Sequence, residues 1–161
     1  VAVRSLAQLD RSDVRLLIAG TGRAEPSLRR LAEDLGIGDR IEFLGYVPEE
    51  DLPGLYSSAD ITLFPPTYEG FGLVFLESMA CGTPVVAPAV GGVPDVVTDG
   101  VDGCIVEREP KAMADRISEL LDDPDRLQKL SSAARETAEE HTWDVTAQAY
   151  ERLYEGLLET S

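Results

Sequence analysis

A chain of 161 residues, 43% of them hydrophobic, is one ordinary domain with enough apolar mass to bury a core. Thirty acids against fourteen bases give a formal net charge of −16, which argues against nucleic acid or an anionic membrane as partner, because phosphates repel such a surface. No apolar run approaches the ~20 residues of a membrane-spanning helix, no signal peptide precedes VAVRSLAQLD, and the reading is therefore a cytoplasmic protein. The acids are dispersed rather than blocked, so they read as a solvated acidic surface, for which adaptation to high salt is the favoured cause. Cys81 and Cys104 sit in apolar surroundings and read as two buried thiols in a reducing compartment. No metal-ligand spacing is present, and His141 is the one histidine.

In chain order, residues 2–9 read as a helix or the end of one. Residues 14–19 (VRLLIA) read as a buried strand ending in Gly20-Thr21-Gly22. Residues 26–35 are helical, with Leu28, Leu31 and Leu35 on one face and Gly36 as the stop. A short strand over 41–44 precedes a helix over 49–57 led by Pro48. A strand over 61–64 is stopped by Pro65-Pro66, and a helix follows from about Gly72 to Cys81. Strands at 85–87 and 105–106 come next, then helices over 111–121, 125–140 and 144–158, the last opened by Thr142 as N-cap.

Strands alternating with helices through short loops indicate a parallel sheet covered on both faces. The fold class is thus α/β, a Rossmann-like doubly wound domain, in which ligands bind beyond the carboxyl ends of the strands. The turns at Gly20-Thr21-Gly22, Gly45-Tyr46-Val47 and Glu69-Gly70-Phe71-Gly72 all follow strands and are expected on that one edge.

The segment TYEGFGLVFLESMACGTP, residues 67–84, concentrates the chemistry. Gly70-Phe71-Gly72 leads into a helix with no Ser, Thr, Asp or Asn immediately before it, so its first N–H groups lack a side-chain partner and suit a polyoxygen ligand such as phosphate. A glycine turn capped by water is the equal alternative on this feature alone. Glu77 stands among Val74, Phe75, Leu76, Met79 and Ala80, which predicts a buried carboxylate, and no Lys or Arg occurs between Arg40 and Arg108. A buried carboxylate costs several kcal/mol unless it is paired or hydrogen-bonded. Hydroxyl donors such as a ribose diol would satisfy it, and a distant arginine such as Arg23 or Arg40 is the structural alternative. Glu69, just before the helix, is placed to meet sugar hydroxyls or a developing positive charge, or is an exposed loop acid.

Residues 65–97, PPTYEGFGLVFLESMACGTPVVAPAVGGVPDVV, resemble the donor-binding half of retaining glycosyltransferases of the glycogen synthase and sucrose synthase kind, family four in group 1, with the two-domain GT-B architecture. The hallmark E-x7-E is matched by Glu69 and Glu77, with Gly70-Phe71-Gly72, Gly82-Thr83-Pro84 and Gly91-Gly92 in register, and the likeness extends from Val14 to about Tyr154. The resemblance implies an active site in the cleft between two Rossmann-like halves, a nucleotide-diphosphate sugar as donor substrate, a hexosyl group transferred to an unknown acceptor, and neither cofactor nor metal. By matched position Glu69 is the catalytic carboxylate at the donor sugar. Glu77 holds the ribose hydroxyls, and the N–H groups of Phe71, Gly72, Leu73 and Val74 meet the sugar and diphosphate. Gly20, Thr21 and Gly22 line the phosphate and ribose side, and Tyr46, Val47 and Leu52 frame the base. All 161 residues are read as this one domain, with residues 143–161 as a terminal helix that turns toward the acceptor half.

The same resemblance exposes departures. Such domains open with a central strand and a following loop that bring an Arg and a Lys to the diphosphate. This chain begins later, so a gap, an altered strand order or a borrowed strand is expected. Pro66 replaces a common serine and Asp95 a common glutamate. Eleven acids and no base occupy residues 41–107, and contacts at a helix terminus contribute only ~0.3–2 kcal/mol each. Weak nucleotide binding, with Arg23 the candidate to assist, and no catalysis by the chain alone are the expectation. The alternatives are a sugar-nucleotide epimerase of the same architecture, a standalone nucleotide-sugar-binding subunit paired with a separate acceptor subunit, and a structural remnant. Trp143 reads as a packing residue, and the stripe Val145, Ala149, Leu153 and Leu157 as an apolar face open to self-association.

Overall fold

Proline sets the start of many of the helices: it lies in the first turn of five of them, where its fixed φ suits the helix and its missing N–H costs nothing. The structure, a computed structural model, describes residues 1–159. In order, the elements are α1 (Ala2–Gln8), β1 (Leu16–Ala19), α2 (Glu25–Asp34), β2 (Ile41–Gly45), α3 (Leu52–Ser57), β3 (Thr62–Leu63), α4 (Leu73–Ala80), β4 (Val85–Ala87), α5 (Val93–Val96), β5 (Gly103–Ile105), α6 (Pro110–Asp122), α7 (Pro124–Glu139) and α8 (Trp143–Glu159). The last two positions of the terminal helix expected over 143–161 lie outside the described residues.

All strand pairs are parallel, as expected, but the sheet is in two pieces: β1 with β2, and β3-β4-β5. β1 has a neighbour on one side only, and so has β3. Their residues are half-buried or exposed, whereas every residue of β4, flanked on both sides, is buried. Leu16 and Ile18 of β1 nevertheless pack in the same apolar cluster as Ile61 and Leu63 at β3. Of the expected outcomes, a gap, an altered strand order or a borrowed strand, the structure shows a gap between β1 and β3.

Strand ends shift for lack of partners. Val14 and Arg15 fall outside β1 because the pairing begins at Leu16 opposite Ile41, and Ile41 is preceded by a 3-10 turn over Gly38–Arg40. The strand expected at 105–106 is instead Gly103–Ile105, set by the register Val85↔Gly103.

The central strand distributes the core. Val86 packs with Val3 and Leu6 of α1, Ala32 of α2 and Ala114, Ile117 and Leu120 of α6. Val85 and Ala87 point the other way, toward Phe75, Leu76 and Met79 of α4, Val93 of α5 and Ala134 of α7. Helices thus cover both faces, the doubly wound arrangement. Phe64 adds an edge-on contact to Phe75, with ring centroids 5.5 Å apart.

Among the described residues one carboxylate is deeply buried, and it is Asp102, 2% exposed. It accepts from the Thr98 N–H at 2.7 Å and the Thr137 hydroxyl at 2.9 Å, so it ties the turn before β5 to α7. Cys104 is buried beside β4, and burial pushes its thiol pKa up. Cys81, at the end of α4, is only half-buried, contrary to expectation, and both thiols are free.

Thr142 caps α8 as expected, its hydroxyl accepting from the Val145 N–H at 3.3 Å. Trp143 is not a packing residue here: it is 82% exposed, and Val145, Leu153, Tyr154 and Leu157 of the same helix are exposed as well. No described helix is long and apolar enough to cross a membrane.

Candidate functional site

The turns after β1 and β2 are joined directly. The Gly20 N–H donates to the Gly45 carbonyl at 2.7 Å, which sets Gly20-Thr21-Gly22 beside Tyr46 and Val47. Thr21, Gly22 and Tyr46 are exposed, and Val47 is half-buried. Leu52, also half-buried, opens α3 on the chain that leaves this turn. Arg23 is exposed.

The loop after β3 is held by the loop after β4. The Gly92 N–H donates to the Glu69 carbonyl at 3.1 Å. A Cβ on Gly91, whose φ is +52°, would lie 1.8 Å from that carbonyl oxygen, and one on Gly92 would lie 2.7 Å from the Gly70 carbonyl oxygen. Two glycines are therefore required for one backbone to lie against the other and fix Glu69-Gly70-Phe71. Glu69 itself is half-buried.

That loop delivers the chain to Gly72, the N-cap of α4, at φ +97° and with no side chain capping the helix. A Cβ there would meet the Phe75 ring at 2.6 Å. Phe71 and Leu73 are exposed and Val74 is half-buried, so the entry to α4 is open to solvent, with N–H groups available to an anion.

Glu77 is not the buried carboxylate the sequence suggests. α4 turns Phe75, Leu76, Ser78 and Met79 inward, while Leu73, Glu77 and Ala80, spaced four and three apart, form its exposed stripe. Neither Arg23 nor Arg40 pairs with it. Arg40 donates instead to the Val14 carbonyl at 3.2 Å. The partner is Tyr56 of α3, whose hydroxyl donates to Glu77 Oε2 at 3.1 Å. Partial burial, and then the adjacent Glu77 charge, push the Tyr56 pKa up from 10.0 to about 12, so the phenol is a proton donor at any ordinary pH. A buried chain of hydroxyls holds this corner. Thr83 Oγ1 donates to the Tyr56 carbonyl at 2.7 Å, and Ser78 Oγ to the Thr83 carbonyl at 2.8 Å.

Two residues near the mouth escape a sequence reading. Tyr56 lies 21 positions from Glu77, and only the packing of α3 on α4 joins them. Arg108 closes the base-free stretch, and its Nε donates to the Pro65 carbonyl at 3.0 Å, which brings a cation to the loop that carries Glu69. No hydrogen bond among the described residues joins the Gly20–Gly22 turn to the Glu69–Gly72 loop; the two halves of the candidate site belong to the two pieces of sheet. His141 sits at the end of α7 with Nδ1 2.9 Å from the Thr137 carbonyl. Among the described residues no group of three or more His, Cys, Asp or Glu could hold a metal ion.

A family model for glycosyl transferases group 1 matches residues 1–137. The chain belongs to this family. The D-inositol 3-phosphate glycosyltransferase of Thermobispora bispora is 43% identical over 153 residues, which are 90% of this chain and 36% of that protein. The sucrose-phosphate synthase of Thermosynechococcus elongatus superposes with a TM-score of 0.85 at 34% identity, over 99% of this chain and 42% of that one. Anabaena HepE, solved in complex with UDP and glucose, gives a TM-score of 0.85 at 27% identity, over 95% of this chain and 43% of its own. This group 1 domain thus spans about a third of the curated relatives' length, and the neighbouring structures are GT-B glycosyltransferases of which it matches one half.

Proposed function

We propose that this chain is the donor-binding half of a retaining glycosyltransferase, which takes a hexosyl group from a nucleotide-diphosphate sugar to an acceptor held by another domain or subunit. The observation that carries the reading is the open, uncapped start of α4 with Glu69 fixed immediately before it and Glu77 exposed on its outer stripe. The N–H groups of Phe71, Gly72, Leu73 and Val74 receive the diphosphate and sugar, Glu77 receives the ribose diol, and Glu69 supports the oxocarbenium-like transition state. Gly20, Thr21 and Gly22 border the phosphate and ribose, and Tyr46, Val47 and Leu52 border the base. No cofactor or metal enters this scheme.

Uridine is the favoured base, because HepE, of the same fold, binds UDP. The uncovered apolar stripe of α8 is the surface that meets the acceptor half, and left bare it supports self-association. An acceptor half is required for transfer, since catalysis needs the acceptor positioned and the leaving group stabilised.

Thermal denaturation of the chain with UDP, GDP or ADP tests the reading. A ligand at about ten times its Kd adds ~1.4 kcal/mol, which raises the melting temperature of a domain this size by a few degrees. One diphosphate, UDP, is expected to do so, and no shift with any of the three at millimolar concentration would overturn the reading of this chain as a working donor site.

A further inference from the structure

We propose that Tyr56 is a positioning residue for nucleotide recognition: its hydroxyl fixes the Glu77 carboxylate so that the remaining lone pairs face the two hydroxyls of a ribose diol. The inference rests on the donor-site reading of Glu77.

Glu77 stands on an exposed helix stripe and has no basic partner, so its side chain would otherwise sample several rotamers. Recognition of a diol by one carboxylate needs both oxygens presented together, and freezing a loose side chain on binding weakens affinity. The Tyr56 hydroxyl removes that freedom by donating to Oε2 at 3.1 Å. It occupies one of about four acceptor positions on the carboxylate and leaves Oε1 wholly free.

Tyr56 is itself held in place. Its backbone carbonyl accepts from Thr83 Oγ1 at 2.7 Å, and Thr83 is 2% exposed. The Thr83 carbonyl in turn accepts from Ser78 Oγ at 2.8 Å, and Ser78 lies on the same helix as Glu77, fully buried. The backbones that carry the phenol and the carboxylate are thus tied to one corner by the buried hydroxyls, and the two side chains by their own bond. Tyr56 also stays protonated at any pH used for binding, which keeps it a donor.

The test compares wild-type chain and Tyr56→Phe in calorimetric titrations with UDP and with 2′,3′-dideoxy-UDP, which lacks the diol. Wild type is expected to prefer UDP by roughly tenfold or more, and Tyr56→Phe to lose most of that preference while binding the dideoxy analogue as wild type does. A merely structural tyrosine would weaken both ligands alike and leave the ratio unchanged. An unchanged preference in Tyr56→Phe overturns the positioning role and leaves the donor site standing. Equal binding of the two ligands by wild type, or binding of neither, overturns the ribose reading of Glu77 and the role of Tyr56 with it.

Discussion

Gly91 shows how one residue without a side chain fixes the backbone of a neighbouring loop. Its φ of +52° and the 1.8 Å that would separate a Cβ from the Glu69 carbonyl oxygen leave no room for alanine. Gly91→Ala combines backbone strain with a backbone clash and is expected to destabilise the chain by roughly 2–4 kcal/mol, as measured by urea unfolding. The Glu69 loop would be displaced, so nucleotide affinity falls as well. A Gly91→Ala variant with unchanged stability and affinity would mean that the two loops are not locked as described. The glycine pair was visible in the sequence as a motif. What it packs against was not, because residues 69 and 91 meet only through the pairing of β3 with β4.

At the scale of elements, α4 carries the main correction. A string of apolar neighbours around Glu77 suggests burial on every face, yet helical spacing puts Leu73, Glu77 and Ala80 on one outward stripe. The stripe is hard to see because two of its three members are apolar. Asp102 takes the buried place instead, satisfied by the Thr98 N–H four positions away and by the Thr137 hydroxyl of α7, which a linear reading does not bring near it. Alternation of strand and helix was legible throughout, and α5 was not, since a four-residue helix leaves no periodic pattern. The sheet is broken between β1 and β3, each of which lacks one neighbour, and their side chains are only half-buried or, in β1, alternately exposed. Amide hydrogen exchange should therefore be slowest in β4 and faster by orders of magnitude in β1 and β3, where opening exposes less buried surface. Equal protection across the three strands would indicate that something closes the gap.

For the whole molecule, charge dominates. A net charge of −16 on 161 residues repels itself in dilute buffer. Molar salt shortens the screening length from ~10 Å at 0.1 M to ~3 Å. The melting temperature is accordingly expected to rise by several degrees between 0.1 and 1 M potassium chloride, and a flat profile would count against adaptation to salt. The same charge bears on function. Residues 41–107 hold no base, so a diphosphate bound at the start of α4, as proposed, would rely on N–H groups, with Arg108, held on the Pro65 carbonyl, as the cation nearest in sequence. Nucleotide binding by this domain alone is expected to be weak and to strengthen with salt.

The central claim is that the exposed carboxylate of Glu77 receives a nucleotide ribose. Calorimetric titration of the chain with UDP in high salt, beside Glu77→Ala, tests it most directly. The expected result is saturable binding that weakens at least tenfold in the variant, whose melting temperature stays close to wild type because the side chain is exposed. Equal affinity in the two proteins would contradict the claim, leaving Glu77 a surface residue hydrogen-bonded to Tyr56 and nothing more.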